Sequence, residues 1–220
     1  MESSLRDRPQ RGLRLIETVG WTGDTIPRLP LHLARLHTSA RRLGWPCNGA
    51  EQALLAAAPK TPARLRLTLD ATGAVEVTAG PLPPAQPLWR VGLATERLSS
   101  TDPWLSLKST HRPAYDAARA TLPESVDELI LLNERGEVCD GTITTVFFDR
   151  GDGLCTPPLT CGLLPGVLRA DLTGTGRARE AVLHASDLAI VRLWVGNSLR
   201  GLIPAIWTGS ASGPTSGTAG

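Results

Sequence analysis

Leu107-Lys108-Ser109-Thr110-His111-Arg112 holds one of only two lysines in a chain of 220 residues; the remaining 21 of its 23 Lys+Arg are arginines. Arginine keeps its proton and cannot form a Schiff base with an aldehyde, whereas a lysine amine that loses its proton can. A lysine retained among so many arginines therefore points to amine chemistry. The other lysine, in Ala58-Pro59-Lys60-Thr61-Pro62, lies between prolines and reads as an exposed loop residue. Lys108 follows a short apolar stretch and precedes a helix-like one, a setting where burial can lower the pKa of an amine. The alternative is an ordinary surface charge, and the segments downstream have to decide.

The chain is long enough, and at 41% hydrophobic apolar enough, to bury a full core as one large domain or two small ones. A formal net charge of +2 makes no electrostatic claim on nucleic acid or an anionic membrane. With 4% aromatic residues and no basic tract interleaved with aromatics, single-strand binding is disfavoured as well. Cys47, Cys139, Cys155 and Cys161 show neither paired CxxC spacing nor a dense framework, so reduced thiols are expected and no metal site is assigned. Met1–Asp7 lacks the apolar core of a signal peptide, and no apolar run is long enough to span a bilayer. A cytoplasmic protein is expected.

Upstream, Leu13–Trp21 reads as a strand, and Leu29, Leu33, Leu36, Ala40 and Leu43 share one face of a helix stopped by Gly44. His32, Arg35 and Ser39 share another face, where an arginine is usually a solvated charge. A second helix covers Ala50–Ala58. Arg64–Leu69 alternates strictly, turns through Asp70–Gly73 and returns at Val75–Val77 as a hairpin with one buried face. Four prolines between Gly80 and Pro87 then break any element. The expected organisation is a small α/β domain over 1–80, a Pro-rich linker over 81–88, a larger domain over 89–208 and a disordered Ser/Gly/Thr tail over 209–220.

In the larger part, strands are expected at Trp89–Ala94, Glu128–Asn133, Val138–Thr142, Thr145–Phe148 and Arg192–Val195, with helices at Tyr115–Thr121 and Val167–Leu172. Gly162-Leu163-Leu164-Pro165-Gly166-Val167-Leu168-Arg169 puts free backbone N–H groups at a helix start, where a phosphate is well held; an ordinary strand–turn–helix is the plain alternative. Asp140, among small residues at a strand end, could face a pyridine nitrogen or serve as a turn aspartate. Gly196-Asn197-Ser198 adds small donors after a strand. An amine, a phosphate cradle and a carboxylate for a ring nitrogen are together what pyridoxal 5′-phosphate (PLP) requires.

These segments resemble the class IV (fold type IV) PLP-dependent aminotransferase family. The likeness rests on Leu107–Arg112, Leu132-Asn133-Glu134-Arg135-Gly136-Glu137-Val138, Thr156–Leu159 with Cys161–Arg169, and Trp194-Val195-Gly196-Asn197-Ser198-Leu199-Arg200-Gly201. Leu15-Ile16-Glu17-Thr18 and His32-Leu33-Ala34-Arg35-Leu36 resemble the family's small domain, and within the family the aminodeoxychorismate lyase branch is most similar. The resemblance implies a two-domain α/β fold, a small α/β domain plus a larger β-rich one, with PLP at their junction and a homodimer partner completing the site.

By the same resemblance, Lys108 is the lysine that bonds the cofactor aldehyde and moves the substrate proton. Arg35 binds the phosphate, helped by the amides of Val167 and Leu168 and by Asn197 or Ser198, while Asp140 meets the ring nitrogen. Arg112 and Arg200 are candidates for substrate carboxylates. Asp140 stands where the family has a longer glutamate, Thr145 where asparagine is common, and Leu168 where a threonine often adds its hydroxyl. Tyr115 comes slightly late for the family's tyrosine after the lysine. The implied activity on a small amino substrate is conversion of 4-amino-4-deoxychorismate to p-aminobenzoate and pyruvate. The alternatives are transamination of branched-chain or D-amino acids, and a relative that binds PLP or a partner without turnover.

Overall fold

The alternation at 63–69 puts Leu65, Leu67 and Leu69 on one face and Arg64 and Arg66 on the other, and it organises the smaller sheet. The computed structural model describes Leu5 and residues 12–210. In it, β2 (Ala63–Leu69) is the middle strand, antiparallel to both β1 (Leu15–Trp21) and β3 (Val75–Gly80). The three leucines are fully buried and pack with Leu36, Ala40 and Leu43 of α1 (Leu29–Leu43) and Leu54 of α2 (Ala50–Ala56). Burying each such side chain stabilises the fold by about 2 kcal/mol. Gly44 ends α1 in the left-handed region at φ 75°, as its place in the sequence suggested.

The second face of α1 is not the solvated face that helical periodicity alone suggests. His32 and Ser39 are buried and the Arg35 side chain is nearly so, because α1 is covered on that side by the larger sheet's helix and loops. Helical periodicity identifies the apolar stripe but says nothing about what lies on the other side.

The larger sheet has eight strands in the order β6-β5-β4-β11-β10-β7-β8-β9. These are β4 (Trp89–Leu98), β5 (Glu128–Asn133), β6 (Val138–Gly141), β7 (Thr145–Asp149), β8 (Leu154–Thr156), β9 (Arg179–Glu180), β10 (Arg192–Asn197) and β11 (Gly201–Ser210). β4 lies between β5 and β11 and is parallel to both. Helix α3 (Pro113–Ala120) buries Tyr115 and Ala118 against Leu98, Leu129 and Leu131, and α4 (Val167–Gly174) packs Leu168 and Leu172 on Phe147.

β11 is the longest of three strands missing from the sequence reading, beside the short β8 and β9, since Pro204 argues against a central strand. Pro204 pairs with Trp194 of β10, and the pairing with β4 starts only at the next residue, Ala205 opposite Trp89. At Pro204 the strand has β10 alone as neighbour, so the missing N–H is tolerated. The strand also takes in Gly209 and Ser210, the first two residues of the expected tail; 211–220 lie outside the described residues. Among the described residues no helix is long and apolar enough to cross a membrane.

The lysine segment joins the two sheets. After a short turn at Pro103–Ser106, Trp104 and Leu107 enter the core of the smaller sheet. The Lys108 carbonyl accepts from Ile16 N at 2.8 Å, and Thr110 N donates to the Arg14 carbonyl at 2.9 Å. The backbone of Lys108 is thus pinned to the start of β1, although the residue belongs in sequence to the larger part.

Candidate active site

A cavity of about 360 Å³ opens between the two sheets. All nine residues singled out from the sequence line it: Lys108, Arg35 and Asp140; Val167, Leu168, Asn197 and Ser198; and Arg112 and Arg200. They come from five separate segments, and only the fold brings them together.

Lys108 extends into this cavity from a backbone held on both sides by buried Leu107 and Ser109. Burial, and then the Arg35 cation, push its amine from 10.5 down to about 8. Arg35 in turn is gripped from below: its Nε donates to Glu17 Oε1 at 2.8 Å, its terminal nitrogen to Glu17 Oε2 at 2.6 Å, and its other terminal nitrogen to the Pro165 carbonyl at 3.2 Å. Burial works to raise the Glu17 carboxyl, but Arg35 and His32 hold it below its usual range.

The helix start of α4 faces the same space. Its N-cap, Gly166, provides no side-chain bond, so the first amides of the helix have no cap of their own. The Leu168 side chain turns into the core against Phe147, leaving the cavity its backbone. Opposite, Gly196 is required by close packing, because a Cβ there would lie 2.9 Å from Leu168 Cδ2 and against the Gly201 carbonyl. The side chain of Asn197 is used up within the turn: it donates to the Ile143 carbonyl at 3.1 Å and accepts from the amides of Leu199 and Arg200 at 3.1 and 3.0 Å. The Ser198 hydroxyl and His32 Nε2 are hydrogen-bonded at 2.8 Å.

Asp140 lies in β6 next to its end, 4% exposed, with its Oδ1 buried and without a hydrogen-bond partner among the described residues. Burial, reinforced by the Glu128 carboxylate, raises its pKa well above the usual range; the Leu164 amide, Lys108 and the Thr145 hydroxyl oppose this. Thr145 is thus among the groups that favour the ionised form of Asp140. Glu128 is fully buried and accepts from the amides of Leu129, Thr142 and Ile143 and from the hydroxyls of Thr142 and Thr144. It ties down the loop after Asp140 so tightly that a Cβ on Gly141 would sit 2.8 Å from Glu128 Oε2. Gly141→Ala is accordingly expected to destabilise the protein by about 2 kcal/mol, read as a lower Tm, through forced repacking around a buried carboxylate. A melting curve identical to wild type would show that the loop can yield.

The sequence reading missed three arginines. Arg64 and Arg66 from the polar face of β2, and Arg97 from β4, line the cavity with Arg35, Arg112 and Arg200. Against these six guanidinium groups the lining has two carboxylates, Asp102 and Asp140. Burial, then Arg64 and Arg112, lower the pKa of Arg66, so the cations are close enough to repel. Arg112 is braced by Asp116 at 2.9 Å, by the Thr142 carbonyl and by the Tyr115 ring 5.1 Å away. Arg200 lies 5.2 Å over the Trp89 ring. The missed signal was the spacing of Arg64 and Arg66 on one side of an alternating strand. Tyr115, late by spacing, still lines the cavity, with its hydroxyl buried and without a hydrogen-bond partner among the described residues.

These residues fit PLP. An amine of lowered pKa, open amides at a helix start and a buried Asp140 oxygen without a partner are what an aldehyde, a phosphate and a ring nitrogen require. The comparisons agree. A Schizosaccharomyces pombe protein named for aminodeoxychorismate lyase is 31% identical over 175 residues, 76% of this chain and 75% of its own length. Among solved structures, a Mesorhizobium loti protein described as an amino-acid aminotransferase superposes with TM-score 0.85 at 45% identity, covering 89% of this chain and 100% of the other. The 4-amino-4-deoxychorismate lyase of Pseudomonas aeruginosa gives TM-score 0.76 at 25% identity, with 94% of this chain and 87% of that one covered. With the family described as Amino-transferase class IV matching residues 14–206, the chain belongs to the class IV aminotransferases and is a PLP-dependent enzyme.

Proposed function

We propose that the enzyme is an aminodeoxychorismate lyase, releasing pyruvate from 4-amino-4-deoxychorismate and leaving p-aminobenzoate. The observation that carries this reading is the cationic wall of the cavity, in which Arg66 and Arg112 are neighbours and which Arg200 also lines. A substrate with one amine and two carboxylates relieves that repulsion, whereas the aliphatic side chain of a branched-chain amino acid does not.

When bound, PLP would supply an aldehyde group for the substrate amine and a ring that withdraws electrons. Lys108 would hold the aldehyde end of the cofactor, and its Nζ would take the proton from the substrate carbon that bears the amine. Arg35, the amides of Val167 and Leu168 and the Ser198 hydroxyl would hold the phosphate, and Asp140 would serve the ring nitrogen. Arg66 and Arg112 hold the substrate carboxylates. The family likeness adds a homodimer to this reading, and a cytoplasmic location is part of it.

Incubation of the holoenzyme with 4-amino-4-deoxychorismate is expected to give p-aminobenzoate and pyruvate in equal amounts, with no dependence on added 2-oxoglutarate. Arg66→Ala is expected to raise KM ~10- to 100-fold with little change in kcat, the loss of one charge-assisted contact to a carboxylate. Rapid transamination of leucine or D-alanine with 2-oxoglutarate, without p-aminobenzoate, would give the enzyme to the aminotransferases. Bound cofactor with no turnover of any of these would make it a non-catalytic relative.

A further inference from the structure

Glu17 occupies a position where a carboxylate is costly. It shares a face of β1 with Leu15 and Val19, both in the core, and is itself 2% exposed. Charge in such a place contributes no more to folding than a well-packed apolar side chain, unless the arrangement serves something else. All of its bonding capacity is directed at α1. Arg35 takes both oxygens in a fork at 2.8 and 2.6 Å, and His32 Nδ1 meets Oε2 at 2.6 Å.

The network continues to the far side of the cavity. From His32, Nε2 reaches the Ser198 hydroxyl at 2.8 Å in the β10–β11 turn, and Arg35 reaches the Pro165 carbonyl just before α4. A simple clamp between β1 and α1 would end at Arg35. This one ends at the two places from which a phosphate would be held. Arg35 keeps one N–H on each terminal nitrogen beyond those used on Glu17 and Pro165, and Arg35 and Ser198 both line the cavity.

We propose that Glu17 is a positioning residue for phosphate recognition, aiming Arg35 directly and Ser198 through His32, so that affinity for the cofactor's phosphate, rather than for its ring, depends on it. This rests on the reading of Arg35, Ser198 and the α4 amides as the phosphate cradle, and is independent of which reaction the enzyme performs.

The full-length chain, freed of cofactor and shown to be folded by its melting curve, is titrated with PLP and with pyridoxal, which lacks the phosphate. Glu17→Gln is expected to weaken PLP ~10- to 100-fold while changing pyridoxal by less than ~2-fold, since only contacts to the phosphate are disturbed. His32→Gln and Ser198→Ala keep the Glu17–Arg35 pair and decide the matter should Glu17→Gln not fold. Each is expected to weaken PLP ~3- to 10-fold, and the double variant no more than either single one, because both cut the same chain of bonds. Equal losses for PLP and pyridoxal in Glu17→Gln, or additive losses in the double variant, would overturn the proposal. A wild-type chain that does not prefer PLP to pyridoxal would overturn the cradle itself.

Discussion

Lys108→Ala is expected to lower kcat at least ~10⁴-fold while leaving a folded protein that still binds cofactor weakly through its phosphate. The variant removes the amine and nothing on which the backbone depends, since the bonds to Ile16 and Arg14 are made by main-chain atoms of residues 108 and 110. In the wild type, borohydride is expected to fix the cofactor to the peptide containing Lys108. The pH dependence follows from the lowered pKa. With the amine at about 8 instead of 10.5, its neutral and reactive form builds up as pH rises through about 8. Attachment of PLP to the cofactor-free chain should therefore accelerate with that midpoint and level off above it. Label on Lys60, or a midpoint near 10.5, would remove Lys108 from this role.

Asp140→Asn comes next in size, with kcat expected to fall ~100- to 1,000-fold and cofactor affinity only a few-fold. Burial and Glu128 raise the Asp140 carboxyl well above its usual range, more than the Leu164 amide, Lys108 and the Thr145 hydroxyl lower it, and Oδ1 has no hydrogen-bond partner among the described residues. A cationic ring nitrogen set against it would favour the ionised carboxylate, and the carboxylate would favour the proton on the nitrogen. Asparagine is nearly the same size but cannot take up the charge, so binding survives where the chemistry suffers. Asp140→Glu is expected to be tolerated, because it restores the family's reach. Wild-type kcat in Asp140→Asn would make Asp140 a turn residue and require another partner for the ring.

The sequence by itself determined the elements whose signal is local. The alternation of Leu65, Leu67 and Leu69, the apolar stripe of α1 and the apolar run Leu129–Leu132 within β5 are each local patterns, and all three formed as expected. It also picked out Lys108, since scarcity is visible in a string of letters. What it could not contain was the company each residue keeps. Pro204 lies within a strand because β4 begins pairing one residue later, a register set across the sheet. Arg35 and His32 are buried because a helix and loops of the larger part cover the face of α1 that periodicity alone would leave solvated. Arg66 matters because Arg112, 46 positions later, is brought beside it. The lowered amine of Lys108 and the raised carboxyl of Asp140 are likewise tertiary facts. Burial and neighbouring charge are properties of a place in space, and only the closed fold defines that place.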